Sequence, residues 1–123
     1  EPPFRPLTLN RPFPTTRSGF YKATFLVKAK KSADYDLLFA HWLGDHAANV
    51  KALMERVKGI RYVIGHSTRP KEERHVGMAE MYFVDQQQFF DFNKGLKLDG
   101  LEKWIDHEQT TVLISNTQMI GIA

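Results

Sequence analysis

Histidine is the side chain that most readily exchanges protons near neutral pH, and this chain of 123 residues carries five of them and no cysteine. The most informative is His46, in the segment Tyr35-Asp36-Leu37-Leu38-Phe39-Ala40-His41-Trp42-Leu43-Gly44-Asp45-His46-Ala47-Ala48-Asn49-Val50. Wound at the helical period, Tyr35, Leu38, Phe39, Trp42, His46, Asn49, Val50, Leu53 and Val57 fall on one side. Two polar groups, His46 and Asn49, thus interrupt an apolar stripe. An unpartnered buried polar group costs about 1–3 kcal/mol, so each should meet a protein group, a water or a ligand. His46 is therefore the first candidate for general acid or base, tuned by a dry aromatic surround that includes Trp42. Asn49 would orient it or bind substrate.

The other histidines read differently. His41 lies about 100° from the stripe and four residues before Asp45, the spacing of a helix-flank pair. His75 stands at the mouth of a later apolar run, where it could close over a ligand. His66 shares the strand parity of Tyr62 and Ile64. Tyr62 and Tyr21 offer hydroxyls able to hold a substrate carbonyl or phenolate. Glu80 fits a structural ion pair better than catalysis.

Several chemistries lack their motifs. There is no H-x-H or H-E-x-x-H, and His41 and His46, five apart, diverge by about 140° on an α-helix. No metal and no cofactor are expected. Gly-rich phosphate loops and serine nucleophile elbows are missing, and without cysteine so are disulfides and thiol nucleophiles. The net charge is only +3, and basic residues alternate with acids, as in Lys71-Glu72-Glu73-Arg74; this is a solvated surface rather than a nucleic-acid footprint. No apolar run approaches the roughly 18 residues that span a bilayer. No signal segment follows Glu1, an upstream targeting peptide stays open, and a cytoplasmic location is the default expectation.

These side chains need a frame. Residues 1–18 hold five of the six prolines and read as an extended arm preceding a domain over 19–123. Residues 20–28 alternate as a strand, with Tyr21, Ala23, Phe25 and Val27 on one side. Ser32 or Asp34 caps a helix running to about residue 56, which Gly59 stops. Residues 60–67 form a second strand, 68–74 a loop and 76–84 a third strand. Asp85 caps a helix over 86–94, a helical turn occupies 101–106, and a last strand covers 110–115 and extends toward 120.

The order β-α-β-β-α-β is the ferredoxin-like α+β arrangement, one antiparallel sheet with both helices on one face. Strands two and three carry apolar residues at both parities, so the open face is expected to pair with that of a second copy in a twofold dimer.

Three blocks resemble one family. Phe39-Ala40-His41-Trp42 with Asp45-His46-Ala47 resembles the F-x-x-H-W-…-H-A helix of EthD-domain proteins. Gly59-Ile60-Arg61-Tyr62 resembles their P-G-(L/I)-x-x-Y opening of the second strand, with Lys58 where proline is usual. Gly77-Met78-Ala79-Glu80-Met81-Tyr82-Phe83 resembles their G-(I/V)-A-E-(L/C)-W-F third strand, with Tyr82 where tryptophan is common. The likeness covers about residues 20–120, and the proline-rich arm is outside it.

The resemblance implies a dimeric α+β barrel with a pocket between helices and sheet, worked by histidines as acid and base. The relatives this implies include cofactor-free lactone isomerases, polyketide cyclases and small decarboxylases of anthrone or anthraquinone carboxylic acids, and others with no settled activity. The isomerases' helix histidine falls on His46, and a histidine after the second helix falls on His107 in Trp104-Ile105-Asp106-His107. The tyrosine of the second strand falls on Tyr62. The expectation is a cofactor-independent lyase that decarboxylates an aromatic or polyketide acid, with His46 and His107 catalytic. Tyr62, Trp42, Asn49, Tyr21, Phe25, Phe39, Met81 and His75 are the candidate substrate contacts. Cyclisation, dehydration or isomerisation in the same pocket, and a non-catalytic ligand-binding or haem-binding barrel, are the alternatives.

Overall fold

A computed structural model describes residues 19–118; the proline-rich arm and the continuation of the last strand to residue 120 lie outside the described residues. Four strands, β1 (Gly19–Val27), β2 (Arg61–His66), β3 (Gly77–Phe83) and β4 (Thr111–Gln118), form one sheet in the order β2-β3-β1-β4. Every neighbouring pair is antiparallel. With helices α1 (Tyr35–His41), α2 (Ala47–Arg56) and α3 (Gln86–Gly95), this is the expected ferredoxin-like arrangement.

Local chemistry accounts for the element boundaries. Asp34 accepts the Leu37 amide and Asp85 the Gln88 amide, capping the first and last helices as the sequence suggests. The end of α2 departs from expectation. Lys58, not Gly59, takes the left-handed conformation, at φ 61°. The Gly59 amide then reaches back to the Met54 carbonyl at 2.8 Å and the Lys58 amide to Glu55 at 3.2 Å, a Schellman closure. Gly59 sits close to Met54 instead: a Cβ there would lie 2.6 Å from the Met54 methyl carbon, the movable end of that side chain.

A larger departure lies between α1 and α2. They are not parts of one uniform α-helix, because Trp42–His46 winds as a π-helix. Hydrogen bonds from i to i+5 widen the turn and insert one residue, rotating everything downstream. Leu38, Trp42, Val50 and Leu53 are buried as the stripe predicts, but Met54 joins them and Asn49 is turned out to the exposed side.

The core lies between the helices and one face of the sheet. Its largest fully buried side chains are Trp42, Phe83, Phe92 and Leu38. Strand alternation puts Tyr21, Ala23, Phe25 and Val27 of β1 in register with Phe83, Met81, Ala79 and Gly77 of β3. The opposite face has a polar centre, where Lys22 Nζ lies 2.6 Å from Glu80 and 5.1 Å from the Tyr82 ring centroid. The Tyr82 hydroxyl donates to the same carboxylate at 3.2 Å, so Glu80 has the structural ion-pair role read from the sequence. Around that centre Val63 and Leu113 remain exposed. Among the described residues no helix is long and apolar enough to cross a membrane.

Candidate active site beneath the long helix

A cavity of about 200 Å³ opens between the helices and the sheet. Its floor is Phe25 and Val27 from β1, Tyr62 from β2, and Ala79 and Met81 from β3. Trp42 and His46 from the π turn, Val50 from α2 and Phe92 from α3 roof it. The segment after α3 closes one end with Leu96, Leu101, Ile105, His107 and Thr110. Almost all of the wall is hydrocarbon or aromatic, so its few polar groups set the orientation of any guest.

Trp42 is held in this roof by close packing. Its ring sits so near β3 that a Cβ at Gly77 would come within 2.7 Å of it and within 2.5 Å of the Gly65 carbonyl oxygen. Phe39 stacks beside it at 6.3 Å between ring centroids. Tyr62 lies below. Burial is the largest influence on its phenol and pushes it up to about 12; the nearby negative Asp99 adds to this, while a hydrogen bond with Trp42 opposes it. Tyr62 is thus a neutral phenol through the physiological range, able to donate to a ligand oxygen.

His46 reaches the cavity wall with one ring nitrogen already engaged. Its Nδ1 lies 2.7 Å from Asp99 Oδ2. The same oxygen accepts Asn49 Nδ2 at 3.1 Å, and Asp99 Oδ1 accepts the Leu101 amide at 3.2 Å and meets His41 Nε2 at 3.3 Å. Burial alone would raise the Asp99 carboxyl, but hydrogen bonds from Asn49, His46, the Leu101 amide and His41 outweigh it and hold Asp99 well below the usual carboxylate range.

Sequence reasoning missed Asp99. It stands before Gly100, which has φ 103°, and an Asp-Gly pair reads as turn chemistry. That reading is correct for the Leu101 contact and silent about a histidine 53 residues away.

His107 lines the cavity at an exposed position. The neighbouring Asp106 does not orient it. That carboxylate accepts the Glu108 and Gln109 amides at 3.1 and 3.2 Å, capping its own turn. The turn is anchored to the end of β1 through an Ala29–Ile105 bridge and the Asp106 amide on the Lys28 carbonyl.

The structure therefore brings His46, His107, Tyr62, Trp42, Phe25 and Met81 to one cavity and leaves four expected contacts outside it. Asn49 is exposed and bonds Asp99 instead, because the π turn rotated it away from the core. Tyr21 is a packed core aromatic, 5.5 Å from the Phe89 ring. Phe39 lies behind Trp42, against the His66 ring at 5.2 Å. His75 precedes buried Val76 and does not line the wall. His41, expected on Asp45, is 4.0 Å from that carboxylate and closer to Asp99. The expected divergence of His41 and His46 also fails, since the π turn brings both rings to one carboxylate.

Among the described residues no group of three or more His, Asp or Glu side chains is arranged to hold a metal ion. A wider, shallower groove of about 680 Å³ runs along α2 and β2, lined by Leu43, Ala47, Ala48, Ile60, Arg61 and Ile64 among others; no histidine lines it.

The fold is similar to solved structures. One is the crystal structure of a DABB-family protein with a ferredoxin-like fold from Mesorhizobium loti, 17% identical, with a TM-score of 0.55 over 85% of this chain and 100% of that one. Another is the solution structure of a hypothetical Arabidopsis thaliana protein, 11% identical, with a TM-score of 0.50 over 87% of this chain and 94% of that one. At these identities the likeness is one of fold. No protein-family model matches the chain, and no curated protein matches it.

Proposed function

We propose that this chain is a cofactor-independent lyase that removes carbon dioxide from an aromatic or polyketide carboxylic acid. The observation that carries the reading is a single apolar cavity whose wall holds two histidines, His46 and His107, from distant parts of the chain. A phenol-bearing ring fits among Phe25, Trp42 and Met81, with the Tyr62 hydroxyl donating to a substrate oxygen.

In the reaction, one histidine gives a proton to the ring carbon that bears the carboxylate. That carbon becomes tetrahedral, and the bond to the carboxylate then breaks. Its electron pair returns to the ring as carbon dioxide leaves, and recovered aromaticity drives the step. The net change is carboxylate plus proton to arene plus carbon dioxide, which needs no oxidant. An acid–base pair in a water-poor cavity is suited to it, because such transfers contribute about 10²–10⁴-fold each. Pairing of two open sheet faces into a homodimer belongs to the same proposal; exposed Val63 and Leu113 beside the Lys22–Glu80 centre support it.

The test is turnover of a panel of aromatic polyketide acids, followed by mass spectrometry. His46→Ala and His107→Ala are each expected to lower kcat by about 100-fold or more. Near-normal rates in both variants overturn the mechanism. Tight binding without turnover in the wild type assigns the cavity to a ligand-binding protein instead.

A further inference from the structure

We infer that Asp99 is a positioning residue: it fixes His46 in the form protonated on Nδ1, so that Nε2 is the nitrogen a bound substrate meets. The inference rests on the acid–base reading of the cavity and adds a residue that no motif of the chain singles out.

The argument begins with the carboxylate's partners. Oδ2 receives His46 Nδ1 at 2.7 Å and Asn49 Nδ2 at 3.1 Å, while Oδ1 receives His41 Nε2 at 3.3 Å and the Leu101 amide at 3.2 Å. An ionised carboxylate is an acceptor only, and four donors occupy its lone-pair sites. Both imidazoles must therefore present N–H to it. A neutral ring protonated on Nδ1 keeps its lone pair on Nε2. The 2.7 Å separation is that of a charge-assisted bond, and the side chains are only 20% and 14% exposed, so water screens the pair weakly.

The backbone is shaped for this contact in two places. On a regular α-helix residues 41 and 46 point in different directions, whereas the wider turn of the π-helix over Trp42–His46 brings residues five apart toward one side. Across from it, the left-handed Gly100 at φ 103° turns the chain so that the Leu101 amide returns to Asp99. π turns inside α-helices are frequent at functional sites, and here the irregularity has a specific consequence: two rings share one acceptor. His41 does not line the cavity and serves as a second donor that immobilises the carboxylate. The arrangement matches the logic of an acid that orients a histidine, holding the required tautomer and stabilising the imidazolium formed when Nε2 takes a proton.

The test reads the tautomer directly. Long-range proton–nitrogen correlation spectra of the whole chain, above the imidazole titration range, are expected to show His46 protonated on Nδ1, with its signals assigned by their loss in His46→Gln. In Asp99→Asn the amide NH₂ can donate to Nδ1, and the ring proton is expected to move to Nε2. With a turned-over acid, kcat is expected to fall by about 10²–10⁴-fold with little change in KM, by analogy with the tautomer error that an Asp→Asn change causes in a catalytic triad. A wild-type His46 protonated on Nε2, or a tautomer unchanged in Asp99→Asn, overturns the inference. If that variant does not fold, the wild-type spectrum alone decides. Absence of turnover alongside the expected tautomers leaves the positioning role standing and removes the lyase.

Discussion

Adding one methyl group at Gly77 is expected to destabilise the protein and disturb the cavity roof together. The new Cβ would lie 2.5 Å from the Gly65 carbonyl oxygen and 2.7 and 2.9 Å from two carbons of the Trp42 ring. Neither neighbour can swing aside. Gly65 belongs to β2, paired along its length with β3, and Trp42 is 2% exposed. Overpacking of this kind costs about 1–3 kcal/mol, and backbone on one side with a locked indole on the other places Gly77→Ala toward the upper end. For a chain of this size each kcal/mol moves the melting temperature by roughly 3–5 °C, so a fall of about 5–15 °C is expected. Circular dichroism melts provide the measurement, with Gly65→Ala as the control, since a Cβ there meets nothing within 4 Å. Adding Trp42→Phe to Gly77→Ala should recover part of the loss, with a coupling of at least about 0.5 kcal/mol. A Gly77→Ala variant that melts within about 1 °C of wild type would show that strand and indole are not in contact as described.

Other expectations follow from the titrating groups and the open sheet face. Because the folded Asp99 carboxyl is held below its unfolded value of about 3.9, its contribution is present above that pH and disappears as pH falls below it; urea midpoints of wild type and Asp99→Asn should differ at pH 7 and converge in acid, and a constant gap down to strong acid would contradict this. Tyr62, raised to about 12, favours the fold below its unfolded value of about 10 and loses that contribution as pH rises toward 12; an ultraviolet titration should show one late-ionising tyrosine that vanishes in Tyr62→Phe. Sedimentation at micromolar concentration is expected to give twice the chain mass of 14.2 kDa, and Leu113→Arg on the open face should return it to one. A wild-type particle of single-chain mass removes the dimer.

Much of the frame was legible because local rules carry it. Strand alternation in Tyr21, Ala23 and Val27, and the caps at Asp34 and Asp85, act over a few residues and leave plain signatures. The helical period put His46 and Trp42 on one face, while Tyr62 and Met81 joined them only through the pocket that the motif resemblance implies. His107 came from the motif resemblance rather than from any period. Asn49 was misjudged for the same reason that Met54 was overlooked: a helical wheel assumes uniform winding, and one added residue in the π turn rotates all that follows.

The chain's order of apolar and polar residues was sufficient for the element sequence, the α+β class and an inward-facing imidazole, since each depends on contacts made within a few residues. The partner of that imidazole was decided by folding. Asp99 meets His46 across 53 positions only when a glycine turn and a widened helical turn arrive at the same place. No local preference encodes such a meeting; it follows from packing both segments over one sheet, where a half-buried carboxylate gathers donors.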